Sequence, residues 1–561
     1  MFVPLAFAAC ASLGGLEGGE TDGGRDTGRT AVDAARQDAT GPKPDSGAPK
    51  NVRDASIPVS DSGADSGFGF TVSAPPSLTL QQGASAPVTV TVTRFGGFAD
   101  AISFTVSGLP AAATFNPLTI TNGSSSGELT LVVGDATPQS VSHLAINGIA
   151  AGGSISASAN MDLVVRGPPG SLDTLFGNQG VVSGFLTTTN FGTLAGAVLD
   201  ANGNVVLAID TEIGGGPISV VRILPSGTLD SNFGTSGIAT VPDTGTVGFA
   251  LFSLPTGELE LSCLSQHGSP WTDELIRLKT NGSIDSSFSP DGGIGNSIVR
   301  TDGQPYTYTL DDSSRVVETG FTGNAAGFLL TRRTAAGPHD GTFDATFTST
   351  IPGPGGPTVI QPDGHIVASY ASTTAPYAMG LVRTDSAGNL DSTFGTGGVV
   401  PATGPGNPYG LLIQSSGKLV AGGVTFSNAG NELPGGFIAR YLANGTLDIT
   451  FGSGGVATVT PGNVFAIAQQ SDEEVVAVGY PSPATDAGAP TNDIWVERVT
   501  AGGLPDTTFG QAGVVTTPIG GAGEISEGEF VAVQPDGRIV VVVATYKSYS
   551  VYDFAVVRYW P

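Results

Sequence analysis

A phrase of the form Leu/Ile-Asp-x-x-Phe, usually followed by Gly, recurs through the C-terminal two-thirds of this chain. It reads GSLDTLFG from residue 170 and GTLDSNFG from residue 227. Its acid recurs at intervals of 57, 55, 59, 47, 57 and 58 residues, at Asp173, Asp230, Asp285, Asp344, Asp391, Asp448 and Asp506. A fixed interval near this length is typical of solenoids, propellers and arrays. The pattern predicts seven like-built units.

Each interval contains short Val- and Ile-rich runs separated by turn residues. The last unit shows them as GVVTTPI, as EFVAVQPDGRIVVVVAT with a Pro-Asp-Gly turn inside it, and as DFAVVRYWP. Gly in such a turn supplies the positive φ that a tight hairpin needs. Four antiparallel strands per unit, repeated seven times, predict a seven-bladed β-propeller of four-stranded blades.

Two further residue types recur with the acid. We expect the aromatic of the phrase to be buried between neighbouring blades, at Phe176, Phe233, Phe288, Phe347, Phe394, Phe451 and Phe509. An arginine closes most fourth strands, at Arg222, Arg277, Arg332, Arg383, Arg440, Arg498 and Arg558. We expect the acid to accept backbone N–H bonds in an Asx turn and to pair with this arginine. Because a functional site usually breaks repeat symmetry, a structural role is favoured over a ring of ligand-binding charges.

The repeat resembles the delta-60 repeat family of exported bacterial proteins. The resemblance rests on LDxxFG, a central Pro-Asp-Gly turn and a strand ending in Arg, in that order, over residues 167–561. Two units depart from the pattern, because Ser289 and Thr348 stand in the Gly position. The resemblance implies a propeller and implies no particular ligand.

Residues 68–166 alternate apolar and polar side chains in Val- and Thr-rich runs such as APVTVTVTRFGG. This period of two predicts an antiparallel β-sandwich of two sheets. The segment resembles bacterial immunoglobulin-like (Ig-like) modules, although the Cys–Trp–Cys landmarks of antibody domains are absent. We expect it to act as a spacer.

The N-terminal residues 1–10, MFVPLAFAAC, resemble a bacterial lipoprotein signal segment with Cys10 as the lipidated residue. Ala11 after the cysteine implies delivery to the outer membrane. Residues 11–67 are rich in Gly, Asp, Ser and Pro and almost without large apolar side chains, so we expect a disordered tether. The chain is thus predicted to be exported, anchored in the outer membrane and exposed at the cell surface.

The net charge and the absence of known motifs in the sequence argue against several classes of function. The net charge of −27 argues against nucleic acid as a partner and against docking on an anionic membrane. The four histidines, His143, His267, His339 and His365, show no metal-ligand spacing, and no nucleotide-binding or hydrolase motif occurs. Cys263 lies in the alternating run ELELSCL, which favours a small buried hydrophobe over a reactive thiol.

These observations leave two functional classes. The first is a binding or adhesion protein, or a structural envelope protein, that displays a propeller to an unknown glycan or protein as a monomer. The alternative is an extracytoplasmic polysaccharide hydrolase or lyase with its active site on one propeller face, an analogy from the fold alone. Convergent acids with raised pKa values would favour the enzyme. No catalytic residue, cofactor or metal ligand is predicted; calcium is left open, although no EF-hand loop occurs.

Overall fold

A computed structural model shows strands as the regular elements of the described residues, and the predicted all-β class is confirmed. The structure describes residues 67–188, 192–212, 216–242, 246–265, 271–288, 296–300, 303–322, 327–343, 345, 351–374, 377–427, 432–460, 462–481, 493–521, 524–548 and 551–561. None of them forms an apolar helix long enough to cross a bilayer. The predicted signal segment with Cys10, and the predicted tether up to residue 66, lie outside the described residues.

The N-terminal domain has two sheets that enclose one core. The first has the order β1 (Gly69–Ser73), β3 (Ser85–Phe95), β7 (Ser126–Val133) and β5 (Ala113–Phe115). The second has the order β2 (Ser77–Gln81), β9 (Ser156–Arg166), β8 (Ser140–Ala150), β4 (Ile102–Ser107) and β6 (Leu118–Ile120). Alternation places Val88, Val90 and Val92 of β3 inside. The prediction of purely antiparallel pairing is wrong, because β2 pairs with β9 in parallel.

We call residues 167–561 the repeat region. Its described residues form seven sheets. Sheet 1 has β11 (Thr193–Leu199), β12 (Val205–Asp210), β13 (Ile218–Ile223) and β14 (Ile238–Val241). Sheet 2 has β15 (Thr246–Ser253), β16 (Leu259–Ser265), β17 (Trp271–Leu278) and β18 (Asn296–Arg300), and sheet 3 has β19 (Gly303–Leu310), β20 (Val316–Thr322) and β21 (Phe328–Arg333). Sheet 4 has β22 (Gly355–Ile360), β23 (Ile366–Ala371), β24 (Met379–Thr384) and β25 (Val399–Val400).

The last three sheets complete the region. Sheet 5 has β26 (Asn407–Ile413), β27 (Leu419–Phe426), β28 (Glu432–Tyr441) and β29 (Val456–Val459). Sheet 6 has β30 (Gly462–Gln469), β31 (Val475–Pro481), β32 (Asp493–Val499) and β33 (Val514–Pro518). Sheet 7 has β34 (Ile525–Val533), β35 (Ile539–Ser548), β36 (Val551–Tyr559) and, from the start of the region, β10 (Val181–Thr188).

The sequence repeat and the sheet are offset by one strand, which corrects the prediction that the four strands of one unit form one sheet. The strand that follows the phrase, such as β14 after Asp230, pairs with the strand that precedes it. The first strand of the first unit, β10, therefore pairs with the last strand of the chain, β36. The two ends of the repeat region thus share one sheet.

The first strand of each sheet contacts the first strand of the next, from β11 to β15 and onward to β34, and β34 contacts β11. Apolar clusters fill the space between consecutive sheets. Val206 and Ile218 of sheet 1, for example, pack with Leu261 and Cys263 of sheet 2. Each sheet therefore buries both faces against its neighbours, which explains the continuous apolar runs of its central strands.

Two opposite ends of the sheets can be defined. The corner end carries the turns between first and second strands and the phrase between third and fourth strands. All seven turns there have five residues, such as 200–204 and 534–538. The loop end carries the connections between second and third strands, which have 7, 5, 5, 7, 5, 11 and 2 residues. The corner end is thus regular, whereas the loop end varies from sheet to sheet.

Candidate functional site

The repeated arginine and acid meet at the corner end. In sheet 1, Nε of Arg222 donates to Oδ2 of Asp230 at 2.8 Å, and Nη1 donates to the carbonyl of Thr280 in sheet 2 at 2.8 Å. The same Nε–Oδ2 bond, at 2.7–2.8 Å, joins Arg332 to Asp340, Arg383 to Asp391, Arg440 to Asp448, Arg498 to Asp506 and Arg558 to Asp173. In most corners one guanidinium thus fixes its own turn and reaches a carbonyl of the following sheet.

The aromatic of the phrase lies under this guanidinium. The arginine carbon Cζ is 4.0–4.7 Å from the ring centroid in all seven corners, and the rings are those of Phe176, Phe233, Phe288, Phe343, Phe394, Phe451 and Phe509. Phe233 packs among residues of sheets 1 and 2, and Phe176 among residues of sheets 7 and 1. Each ring adds cation–π attraction to the burial of its apolar area between two sheets.

The acid also closes an Asx turn. Oδ1 of Asp391 accepts the backbone N–H of Thr393 at 2.9 Å and its hydroxyl at 2.7 Å. These two bonds and the Arg383 guanidinium lower the pKa of Asp391 to about 2. The Thr342 hydroxyl, Arg332 and the Thr342 N–H do the same for Asp340, whose pKa is about 2. The carboxylates of these corners are therefore ionised, and both of their oxygens accept hydrogen bonds from other residues of the protein.

The third repeat departs from the predicted pair of Arg277 and Asp285. The Arg277 guanidinium donates to Oε2 of Glu260 at 2.8 and 3.2 Å. Asp285 keeps its Asx turn to Ser287, and Nζ of Lys279 lies 3.7 Å from it. Glu260 stands on the neighbouring second strand and offers Arg277 a nearly fully buried carboxylate, so this corner uses a different acid for the same purpose.

The fourth repeat corrects the prediction of Asp344 and Phe347 as its corner residues. Asp340 accepts from Arg332, and Arg332 lies over Phe343. Asp344 and Phe347 lie outside the described residues. The segment DGTFDATF contains two overlapping copies of Asp-x-x-Phe, and the first copy places its acid eight residues after the arginine, as in the other internal corners.

The closing corner joins the two ends of the repeat region. Asp173 is fully buried and accepts from Arg558, and Arg538 lies 3.4 Å from the same carboxylate. Gln139 of the N-terminal domain reaches this corner. Its Oε1 accepts Nε1–H of Trp560 at 2.8 Å and N–H of Thr174 at 2.8 Å. The N-terminal domain therefore contacts the corner end of sheet 7.

Sequence reasoning missed a buried glutamine in four of the turns, at Gln361, Gln414, Gln470 and Gln534. Nε2 of Gln470 donates to the carbonyl of Gly537 in sheet 7 at 3.2 Å, and its Oε1 accepts from Arg498 at 2.9 Å. Gln534 bonds Gly203 of sheet 1 in the same way at 3.1 Å. The signal was present, because this glutamine recurs as the first residue of the turn in IQPDG, IQSSG and VQPDG.

The loop end carries the symmetry-breaking side chains. In every sheet the pairing of the first two strands shifts at a β-bulge near this end. The extra residue is aromatic in four sheets, at Phe249, Tyr306, Tyr409 and Phe465. The Tyr409 and Phe465 rings of adjacent sheets lie 5.5 Å apart. Sheet 7 has Glu529 at this position, and sheet 1 has Ala195.

Glu529 belongs to a buried acid pair with Glu527 on β34. Glu529 is 3% exposed and Glu527 is 6% exposed. The Tyr546 hydroxyl lies 2.8 Å from Oε2 of Glu527 and 3.4 Å from Oε1 of Glu529. Burial, and then the charge of Glu527, raise the pKa of Glu529 well above its ordinary value. Burial and the neighbouring carboxyl therefore favour the protonated form of Glu529, whose Oε1 lies within reach of the Tyr546 hydroxyl.

A second buried acid, Asp210, lies between sheets 1 and 2. Its carboxylate oxygens accept the N–H of Gly248 at 3.2 Å, and Thr193 donates its hydroxyl at 3.4 Å. Burial raises the pKa of Asp210 to about 7 despite these bonds. Both acid sites are thus enclosed between sheets at their loop-end halves.

The remaining candidate residues lie apart. His143 is exposed on β8 beside Asp162, His339 is exposed at a corner, and His365 lies in the turn of sheet 4 near Asp391. Cys263 is fully buried between sheets 1 and 2, and His267 lies outside the described residues. Among the described side chains, no group of three or more His, Cys, Asp or Glu is arranged to hold a metal ion.

Repeated sheets of this kind, with their corners, define a β-propeller repeat protein. Four segments match the family model described as "Domain of unknown function (DUF5122) beta-propeller", at residues 265–288, 361–394, 414–451 and 534–561. Each segment ends in or just beyond a corner, so the shared pattern is that of the corner end. No curated protein matches the chain.

Proposed function

We propose that this chain is an exported, lipid-anchored binding protein whose seven sheets are the blades of one closed propeller and whose loop end binds the ligand. The supporting observation is the contrast between the two ends. Arginine, acid and phenylalanine repeat at the corner end and satisfy one another. The loop end has connections of 2 to 11 residues, and their sequences differ from sheet to sheet. Binding sites lie on variable loops that a rigid scaffold positions.

The contact between the N-terminal domain and the repeat region also supports the loop end as the binding end. Gln139 contacts Trp560 and Thr174 at the corner end, so the loop end is the opposite end from this contact. In our proposal the domain is an Ig-like spacer, preceded by a tether from a lipid on Cys10. A propeller held in this way presents its loop end away from the membrane, as a monomer at the cell surface.

One observation bears on the hydrolase alternative. The acid pair Glu527 and Glu529 is the convergent pair with a raised pKa that an enzyme of this class would need. The two residues are 6% and 3% exposed and their carboxyls are bonded to Tyr546, which leaves little access for a substrate. The pair fits an interior structural role better, and we therefore favour binding.

Site-specific photo-crosslinking on intact cells tests the proposal. A photoreactive phenylalanine replaces Tyr377 at the loop end, or Asp312 in the corner-end turn of sheet 3 as the matched control. We expect ligand adducts from the loop-end position and none from the control. Adducts from the control alone would contradict the assignment of the binding end. Turnover of a polysaccharide by the full chain, lost in Glu529→Gln, would establish the enzyme instead.

A further inference from the structure

The closing sheet of the repeat region lacks the chain connection that an internal corner has. In sheet 1, β13 continues through the phrase into β14, so the chain itself keeps these two strands together. In sheet 7, β36 and β10 come from the two ends of the repeat region and are held together by noncovalent contacts. Their separation would release chain entropy without breaking a covalent bond, so this pair is where a closed ring would open first.

The residue two positions after the arginine distinguishes the closing corner from the others. It is Trp560 there, whereas the six other units have leucine, lysine, threonine or aspartate, at Leu224, Lys279, Thr334, Asp385, Leu442 and Thr500. Trp560 is 3% exposed, and Cζ of Arg538 lies 4.6 Å from its ring. Its backbone N–H donates to the carbonyl of Ser171 at 2.9 Å. A side chain that breaks the repeat symmetry is thus buried where the two ends of the repeat region meet.

Gln139 of the N-terminal domain bonds both of these ends. Its Nε2 donates to the carbonyl of Leu172 at 3.0 Å. Its Oε1 accepts the N–H of Thr174 and the Nε1–H of Trp560, each at 2.8 Å. Leu172 and Thr174 precede β10, and Trp560 follows β36. One amide side chain therefore links the start of the repeat region to its end, and we call these bonds of Gln139 the clasp.

The N-terminal domain holds Gln139 in place for these bonds. Gln139 ends the connection between β7 and β8, and in that connection the carbonyl of Thr137 accepts Nε2–H of Gln82 at 2.6 Å. Thr137 itself is fully buried. At the domain boundary Gly167 is buried, and a Cβ there would lie 2.5 Å from Nε2 of Gln139. The boundary is thus packed against the clasp, so Gln139 loses little conformational freedom when it bonds its partners.

From these contacts we propose that the N-terminal domain is a conformational lock on the repeat region, which keeps β10 and β36 paired through the clasp. The chain runs from this domain into the first unit, so the bonds to Leu172 and Thr174 orient the Gln139 amide. The bond between Gln139 and Trp560 crosses from one end of the repeat region to the other. Separation of β10 from β36 must break this bond as well as the strand pairing. The role goes beyond that of a spacer, and it rests on the closed ring of the proposed function.

Hydrogen exchange of the full chain tests the lock. Gln139→Ala removes the clasp and should speed the exchange of the β10 amides that point toward β36 about tenfold or more. The amides of β8 and β23 should keep their protection, which shows that both domains stay folded. The matched control is Gln414→Ala, which removes a buried glutamine that bonds the carbonyl of Glu473 between sheets 5 and 6. It should change the exchange of β10 by less than about twofold.

A second variant tests the bond that crosses between the ends. Trp560→Phe removes the indole N–H and keeps an aromatic ring beside Arg538. Combined with Gln139→Ala, it should speed the exchange of β10 by less than the product of the two single effects, because both variants remove the same bond. A combined effect equal to that product would show that the two residues act independently and would overturn the inference.

Two further outcomes separate the lock from the proposed function. Exchange of β10 within seconds in the unmodified protein, with β36 protected, would contradict the closed ring itself. Slow exchange of β10 that Gln139→Ala leaves unchanged would retain the ring and overturn the lock. Equal acceleration of β10 by Gln139→Ala and Gln414→Ala would also overturn the lock, because β10 would then open only when the whole repeat region unfolds.

Discussion

Nε of Arg558 donates to Oδ2 of Asp173 at 2.8 Å, across 385 residues of sequence. Five internal corners make the same bond between residues eight apart. The closing corner therefore uses the local interaction of each repeat to join the two ends of the repeat region, beside the pairing of β10 with β36.

Replacing this acid should weaken the protein more than replacing the acid of the third repeat. Asp173→Asn leaves Arg558, 2% exposed, without a buried carboxylate, and should lower the free energy of unfolding by ~3 kcal/mol. Asp285→Asn should cost under ~1 kcal/mol, because Arg277 keeps Glu260. Chemical denaturation measures both. Equal losses of unfolding free energy in the two variants would show that the Arg558–Asp173 pair stabilises the protein no more than Asp285 does.

The corner of the fourth repeat can be tested with two phenylalanines. Phe343 is 2% exposed and lies under Arg332, so Phe343→Ala should cost ~3–5 kcal/mol through the cavity it leaves. Phe347→Ala serves as the comparison, and thermal unfolding of both variants is the measurement. A larger loss for Phe347→Ala would restore the assignment made from the sequence interval alone.

The glycine after the aromatic has a steric role that a neighbouring glycine lacks. Gly452 has a φ of 54°, and a Cβ there would lie 2.3 Å from the carbonyl oxygen of Val456. Gly454 has a φ of 64° with open space around it. Gly454→Ala should therefore cost ~1 kcal/mol from the left-handed backbone alone, and Gly452→Ala at least ~1 kcal/mol more. Similar unfolding free energies for both variants would refute the steric argument.

Stability should depend on pH in two opposite senses. The pKa of Asp210 is about 7 when folded and about 4 when unfolded, so between these values the folded state binds more protons. This group alone makes stability fall by up to ~4 kcal/mol as the pH rises from about 4 to about 7. The corner acids, with a pKa of about 2 for Asp340 and Asp391, act oppositely, and their contribution is lost as the pH falls from about 4 to about 2.

Asp210→Asn isolates the first effect. The amide oxygen of the new asparagine can still accept the Gly248 N–H. The substitution removes only the carboxyl group that titrates. The melting temperature of this variant should exceed that of the unmodified protein at pH 8 and approach it near pH 4. Asp312→Asn, an exposed acid, controls for loss of charge. A constant difference between the Asp210 variant and the unmodified protein across this range would contradict the raised pKa.

The local features of the repeat could be predicted from the sequence, because they depend on residues close together in the chain. The Asx turn at Asp391 and the proximity of Arg383 to it need only eight residues. The pairing of β10 with β36 could not be predicted in this way, since it depends on contacts between the two ends of the repeat region.

Two features of the candidate site show the same limit. The acid pair Glu527 and Glu529 looks ordinary in so acidic a chain, and its burial depends on the packing of sheet 7 against sheet 1. In the fourth repeat, two copies of Asp-x-x-Phe overlap, one beginning at Asp340 and one at Asp344. The interval between phrases led to the choice of Asp344, whereas Asp340 is the acid that bonds Arg332. The arginine spacing selects Asp340, since Arg332 must reach its partner within one corner.

Hydrogen exchange of β10 tests the closed propeller most directly. In the proposed ring, β10 pairs with β36 over Val181–Ser183 and Thr187–Thr188. The β10 amides in these stretches that point toward β36 should be protected from exchange over hours at neutral pH, as the amides of β36 are. If β10 exchanged within seconds while β36 stayed protected, the first and last strands would be apart, and the closed ring would be contradicted.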